Sequence, residues 1–403
     1  MKKRFLTVKD IRAILAVILL VLMLAAGLLA FNGWLAEQYG VGADFLSPWN
    51  GTRAFLFEQA EPYSRTVAER TQVAVYGRAA REGEFPYALD VPFPILLLFT
   101  PFAFIPDPIW ARAVWMTLSE FGLLLLVTYA LRLADWQPKR GFTFLLLAFS
   151  LTWFYSAAAL VDGSFSILLV LALVGALIAM RDFNDEFAGF LLAISAVKWE
   201  VTLLLWLFIV IGAYSAKRWR VFAGLGMTWF VLSAIGFLFY PDWIWPYLRA
   251  ITANFRADDT LRVTPVLLLI LVIEWFSALR GKDFRRVAWA AALSLAVTPL
   301  LGFGEATTFA NLAPLVFSFT FILPFAWERW EKRPYLILTL ITLIFFALPL
   351  LLRWPTIAAR PPSDGLTFLL PPVLTILGLY WVRWYVVRPP RTWLDGVKRE
   401  LRK

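Results

Sequence analysis

Four ionisable side chains stand where an apolar chain has least reason to keep them. Asp44, in VGADFLSPWNGTRAFLFEQAEPYS, follows soon after the first long apolar run and has Phe45, Leu46 and Trp49 as neighbours. A carboxylate there is partly desolvated, which raises its proton affinity toward the range a general base needs. The competing reading is a cap for a helix over 45–58, a position Asp favours. Lys198 lies inside the apolar run 187–213. A cation within a membrane segment costs roughly 2.5–3.5 kcal/mol on insertion scales and marks a functional position by default. Fixed there, it suits an anionic headgroup such as a phosphate. Its bland alternatives are snorkelling or an ion pair with Glu200, although a two-residue spacing does not bring helical side chains face to face. Asp162 sits in LVDGSFSILL, where Asp-Gly equally marks a plain turn. Arg112, at the start of the run 109–131, fits either a phosphate contact or an interfacial anchor. Arg53, Glu61 and Tyr63 share a loop with Asp44 and are candidates for lining the same pocket, while Glu305 is a lone acid between two runs.

The chain contains no Cys and no His. That excludes disulfides, thiolate nucleophiles, zinc-thiolate sites and imidazole bases. No phosphate-binding glycine loop, EF-hand or zinc pattern appears, so no metal ligand and no cofactor is assigned, and metal dependence stays open. Acid–base and electrostatic work is left to Asp, Glu, Lys, Arg, Tyr and the backbone.

The elements that must position these groups are membrane helices. Of 403 residues 61% are hydrophobic and 16% charged, against about 45–50% and about 25% in soluble domains. The net charge of +10 does not point to nucleic acid. Its cations cluster beside apolar runs, at Lys2–Arg4, Lys217–Arg220, Arg280–Arg286 and Arg383–Lys403, as the positive-inside rule describes. Runs fit to span are 11–34, 109–131, 142–160, 164–180, 219–239, 263–279, 287–301, 309–325, 334–352 and 366–387. Two more are irregular: 91–105 carries Pro92, Pro94 and Pro101, and 187–213 is long, with Lys198 and Glu200 at its middle. If both cross once, the basic loop 132–140 lies outside; positive-inside counting favours instead a dip into the outer face for 91–105 and an entering, returning hairpin for 187–213, which brings that loop inside.

These features predict an all-α polytopic protein of the plasma (inner) membrane, with both termini cytoplasmic. Its long first outer loop, 35–90, is partly helical, with Ser64 capping a helix over 64–82. The division expected is a catalytic module over 1–215 and a second membrane module over 216–403.

An uncleaved first span, Asp-Phe early in a long outer loop, a Pro-Tyr, and a proline-rich half-helix together resemble the GT-C glycosyltransferases. Within them the chain is most similar to the bacterial polyprenol-phosphate-mannose-dependent mannosyltransferase-like family. The stretches that carry the likeness are 44–63, 91–106, 161–177 and 188–208. The chain departs from the family pattern at Gly163-Ser164, at Val91-Pro92 and at Lys198-Trp199. The resemblance implies a bundle of about 10–12 transmembrane helices and an extracytoplasmic active site. It also implies inverting transfer of a mannose-like hexose from a polyprenyl phosphate to a lipid or glycan acceptor. Asp44 matches the family's catalytic aspartate. Lys198, Arg112, Asp162, Arg53, Glu61 and Tyr63 would bind substrate. The alternatives are a transporter or flippase for lipid-linked sugars, which should show paired broken helices in two halves, and an inactive homologue with a structural role.

Overall fold

The computed structural model describes residues 8–39, 41–254, 264–281, 283–301, 309–330, 335–342, 345 and 365–387. Glu305, the basic residues Lys2–Arg4 and Lys282, the tail beyond 387 and most of the run 334–352 lie outside them. Among the described residues every regular element is helical. The chain is an all-α, multi-pass membrane protein. Helices satisfy their own backbone groups, which is what a segment crossing hydrocarbon requires.

Helix α1 (Val8–Gln38) carries the first apolar run. The loop after it holds α2 (Ala43–Glu58) and α3 (Arg65–Tyr76). Ser64 is the N-cap residue of α3, but its side chain caps no backbone N–H, and Gly77, in the left-handed region, ends the helix well before residue 82. The segment 91–105 winds as two short turns, α4 (Phe93–Leu96) and α5 (Thr100–Ala103), joined by a 3-10 turn. Each turn starts with a proline in its first two positions, where the missing N–H costs nothing. The resulting stub is too short to cross.

Among the described residues, five helices are long and apolar enough to span, and six if a bent pair is counted as one. Asp107 caps α6 (Pro108–Leu133) by accepting from the Ile109 N–H at 2.9 Å, and Pro108 follows at the first turn. The bent pair is α7 (Arg140–Thr152) and α8 (Phe154–Asp162), which meet at 48° where Trp153 turns extended. Then come α9 (Ser166–Arg181), α10 (Asp185–Ser195), α11 (Trp199–Ser215), α12 (Trp219–Phe239), α13 (Ile244–Asn254), α14 (Thr264–Arg280), α15 (Phe284–Val297), α16 (Leu315–Arg329) and a last helix, Gly365–Val387.

The run 187–213 is α10 and α11, broken at Ala196–Lys198, and the two form a hairpin. Asp185, where α10 starts, pairs at 3.1 Å with Arg218, just past the end of α11, so both legs begin and end at one face. The last carbonyls of α10 are not stranded at the break: the Leu192 carbonyl accepts from Ser195 Oγ at 2.9 Å and from Trp206 Nε1 of the returning leg at 3.0 Å. Leg α10 lies against α12 with the backbones nearly touching. A Cβ on Gly189 would sit 2.1 Å from the Val221 carbonyl oxygen, and one on Gly224 would sit 2.3 Å from that of Glu186. Small residues permit this close approach, which is how membrane helices gain packing energy without a hydrophobic driving force.

The face holding the ends of this hairpin also holds the basic loops. Arg132 pairs with Asp182 at 2.7 Å, Arg181 with Asp135 at 2.6 Å and Arg285 with Asp135 at 3.5 Å. The loop 132–140 therefore shares an end of the bundle with 216–218 and 283–286, the arrangement that charge counting favours. The opposite end carries the long loop. A small core of its own sits there, in which Phe45, Phe99, Trp115 and Phe165 pack ring against ring with centroids 5.0–6.0 Å apart.

Candidate active site

Three chain segments converge above that aromatic cluster. Gly42 is the N-cap residue of α2, so Asp44 falls in the first helical turn and is not the cap. A carboxylate there complements the positive end of the helix. Its backbone neighbour Phe45 is locked against the end of α8. Gly163 adopts φ +71 as the C-cap of α8, and any Cβ there would lie 2.5 Å from Phe45 Cβ. Trp115 Nε1 of α6 donates to the Gly163 carbonyl at 3.0 Å. The Asp-Gly pair is thus a turn, and that turn is what sets Asp162 beside the start of α2.

The third segment is the hairpin tip. Lys198 is the N-cap residue of α11, and its Nζ donates to Asp44 Oδ1 at 3.3 Å. Both side chains are more than nine-tenths buried. The ammonium also lies over the Phe165 ring, 5.4 Å from its centroid. Asp162 is within electrostatic reach of Asp44, Lys198 and Arg112. Arg112 is buried one turn into α6, and its Nη2 donates to the carbonyls of Ala36 and Tyr39, tying down the end of α1. Two carboxylates and two cations, from four elements, therefore share one buried cluster. The arrangement can abstract a proton and can hold an anion.

The remaining loop candidates lie elsewhere. Arg53 donates from Nη1 to the Ala103 carbonyl at 2.7 Å and lies over Trp49 and Phe57, each 5.1 Å away, so it clamps the proline stub against α2. Tyr63 donates to the Val91 carbonyl at 2.8 Å, immediately before that stub. Burial pushes its phenol far above the ordinary value, with Tyr247, Tyr240 and Asp90 adding to the shift. Glu61 accepts from the Tyr240 hydroxyl at 2.7 Å, and the Tyr63 and Tyr240 rings stack at 6.4 Å.

Sequence reasoning missed the partners of this second patch. Tyr240, Tyr247 and Asn254 come from the segment after α12, and Asn254 bonds both the N–H and the carbonyl of Ala88, at 3.2 and 2.8 Å, across 166 positions. Asp90 is within electrostatic reach of both Tyr63 and Glu200, between the tyrosine patch and the hairpin tip. A tyrosine repeated just past an apolar run was the one available signal.

Arg112, Asp162, Lys198, Tyr240 and Tyr247 fall in one continuous stretch of sequence, less than half of the chain. Residues 92–260 match the model of glycosyltransferase family 87. Family 87 is of the GT-C type, a class of membrane glycosyltransferases, and this stretch of the chain is similar to it. The family-87 stretch runs across residue 215 and takes in the hairpin, α12 and α13, whereas Asp44 and Tyr63 precede it. No curated protein and no solved structure matches the chain.

Proposed function

We propose that the chain is an inverting glycosyltransferase that moves a mannose-like hexose from a polyprenyl phosphate to a hydroxyl of a lipid or glycan on the outer side of the membrane. The observation that carries this reading is the meeting of Asp44 with Lys198. One comes from the long loop and the other from the tip of a re-entrant hairpin, in a site walled by apolar and aromatic side chains.

Asp44 is the base. Its carboxylate takes the proton of the acceptor hydroxyl as that oxygen bonds to the anomeric carbon. The carbon–oxygen bond to the phosphate breaks on the opposite face, and its electron pair leaves on the polyprenyl phosphate. Charge grows on that leaving group, and a fixed ammonium in a dry site is the group that stabilises it. Lys198 takes that role, with Arg112 contributing positive potential from behind. The donor phosphate replaces Asp44 as the partner of Lys198, so arrival of the donor releases the base. Asp162 balances the charge of the cluster, and Tyr63 and Glu61 line the approach of the acceptor. The reacting groups on this reading fall within 1–215.

The test is transfer of labelled hexose from a polyprenyl-phosphate donor to membrane lipid or glycan acceptors by the purified protein in bilayer discs. Transfer by the native chain that disappears in Asp44→Asn supports the assignment. Undiminished transfer in that variant overturns Asp44 as the base. Absence of transfer with a panel of donors and acceptors overturns the donor class.

A further inference from the structure

The basic end of the bundle, remote from this cluster, contains a cavity of about 370 Å³ between α9, α11, α14 and α15. Its floor is apolar, formed by Leu177, Phe208, Leu279 and Phe284, and its rim carries Arg181, Arg218 and Phe183. At ~30 Å³ per water- or methylene-sized group the space takes about a dozen such groups. Water alone has little reason to fill a hole with this floor, and an inorganic anion has no use for it. An amphiphile matches both parts.

Three features of the rim favour an anionic head. The two guanidiniums are held in place by the protein: Arg181 donates to the Arg132 carbonyl and to Asp135, at 2.7 and 2.6 Å, and Arg218 donates to the Met180 carbonyl at 2.7 Å while pairing with Asp185 at 3.1 Å. Each arginine has five N–H donors in a rigid fork, so these contacts fix the planes and leave donors for phosphate oxygens. Another arginine lies behind the cavity wall, its Nη2 donating to the Val387 carbonyl at 3.1 Å. Arg286 packs against Gly281 of the cavity wall, and its buried Nε has no hydrogen-bond partner among the described residues. Of the acids, Asp283 itself lines the cavity and accepts from the backbone N–H of Arg285, while Asp135 and Asp185 pair with these arginines and Asp182 with Arg132.

Phe183 supplies an independent mark. It follows the C-cap of α9 with φ +60, a conformation a bulky side chain seldom takes, and it is 86% exposed. Its ring lies under the Arg218 guanidinium, 5.4 Å away. An exposed aromatic held beside arginines at the end of a membrane bundle sits at headgroup depth.

We propose that this cavity binds one anionic phospholipid, with the phosphate on the Arg181–Arg218 rim and part of one acyl chain on the apolar floor. Basic pockets between membrane helices take headgroups in this way. The lipid would hold together the ends of the hairpin whose tip carries Lys198.

Native mass spectrometry of the full chain, released from discs containing phosphatidylglycerol or phosphatidylcholine, tests this. The expected result is one retained phosphatidylglycerol per chain, at least tenfold more populated than retained phosphatidylcholine, together with a higher melting temperature in phosphatidylglycerol. Ser215→Trp places a ring at the exposed mouth while keeping both arginines in the chain and should abolish both effects. Arg218→Gln should abolish the lipid preference, and if that chain fails to fold, Ser215→Trp still decides. Equal retention of the two lipids, or retention unchanged by Ser215→Trp, overturns the proposal. So does stabilisation by inorganic phosphate equal to that by phosphatidylglycerol.

Discussion

Lys198 and Asp44 are 154 positions apart in the chain, and their charged atoms lie 3.3 Å apart with both side chains almost fully buried. Removing one partner of such a pair strands a buried charge, which typically costs about 3–5 kcal/mol, whereas removing both can be close to neutral. Lys198→Met and Asp44→Asn should therefore each lower thermal stability in detergent, and the double variant should be more stable than Lys198→Met alone. A double variant that melts below both single variants would contradict the pairing.

Gly163 joins the two carboxylates of the cluster. Gly163→Ala puts a side chain into the left-handed region, worth roughly 1–2 kcal/mol, and drives a Cβ against Phe45. The expected outcome is a lower melting temperature together with transfer activity reduced out of proportion to the folded fraction. Normal activity in the folded variant would show that the Phe45–Gly163 contact does not set the position of Asp44.

α1 and α6 share a polar contact inside the bundle: Asn32 Nδ2 donates to Glu120 Oε2 at 2.9 Å and to Thr117 Oγ1 at 3.0 Å. Interhelical bonds of this kind in membranes are worth about 0.6–2 kcal/mol. Asn32→Leu should cost at least that amount in unfolding measurements and leave transfer largely intact, because none of Asn32, Thr117 and Glu120 contacts Asp44, Asp162 or Lys198.

The long loop should be acid-sensitive at one turn. A bidentate hydrogen bond from Arg78, joined by the Arg81 N–H, holds the Glu84 carboxyl down to about 2. A lowered folded value means that the stabilising contact is fully present above the usual carboxylate range and is lost as pH falls through it toward 2. Hydrogen exchange at the Arg81 amide should therefore stay slow at neutral pH and quicken, after correction for intrinsic rates, only in strong acid. Protection lost already near pH 5 would exclude this arrangement.

Arg53 gives a last test. Its flat guanidinium lies over Trp49 and Phe57, contacts worth about 0.5–1 kcal/mol each at exposed sites. Arg53→Lys keeps the charge and loses the stacking, so it should destabilise the loop. Proteolysis between 77 and 90 should read this out, and cleavage no faster than in the native chain would count against the clamp.

The membrane helices were legible because each is a long apolar run, and α12 begins and ends at the residues the run itself marks, 219 and 239. The proline stub and the hairpin were legible as failures of that rule: prolines in one, a lysine in the other. The bend at Trp153 was not, since no proline or glycine marks it; its indole is taken up by the Phe345 carbonyl and ring, 192 positions away. The tyrosine patch escaped for the same reason. Tyr240, Tyr247 and Asn254 acquire their meaning from residues 61–90, and a contact between segments so distant leaves no local pattern. Asp44, Asp162, Arg112 and Lys198 stood out because charge in apolar surroundings is costly. Arg53 was picked out only because it shares the loop with Asp44, and its stacking on Trp49 and Phe57 left no mark in the sequence.

The hairpin hangs Lys198 from below, with both legs rooted at the basic end. The height of the ammonium is therefore the length of α10, about 16 Å at ~1.5 Å per residue. One residue inserted into that leg would raise the tip by ~1.5 Å and rotate it by about 100°, carrying Lys198 off Asp44. One residue inserted at the exposed turn of Glu82 and Gly83 would only lengthen a surface connection. Insertions and deletions, more than substitutions, should thus separate the part of this chain that measures distance from the part that merely covers it.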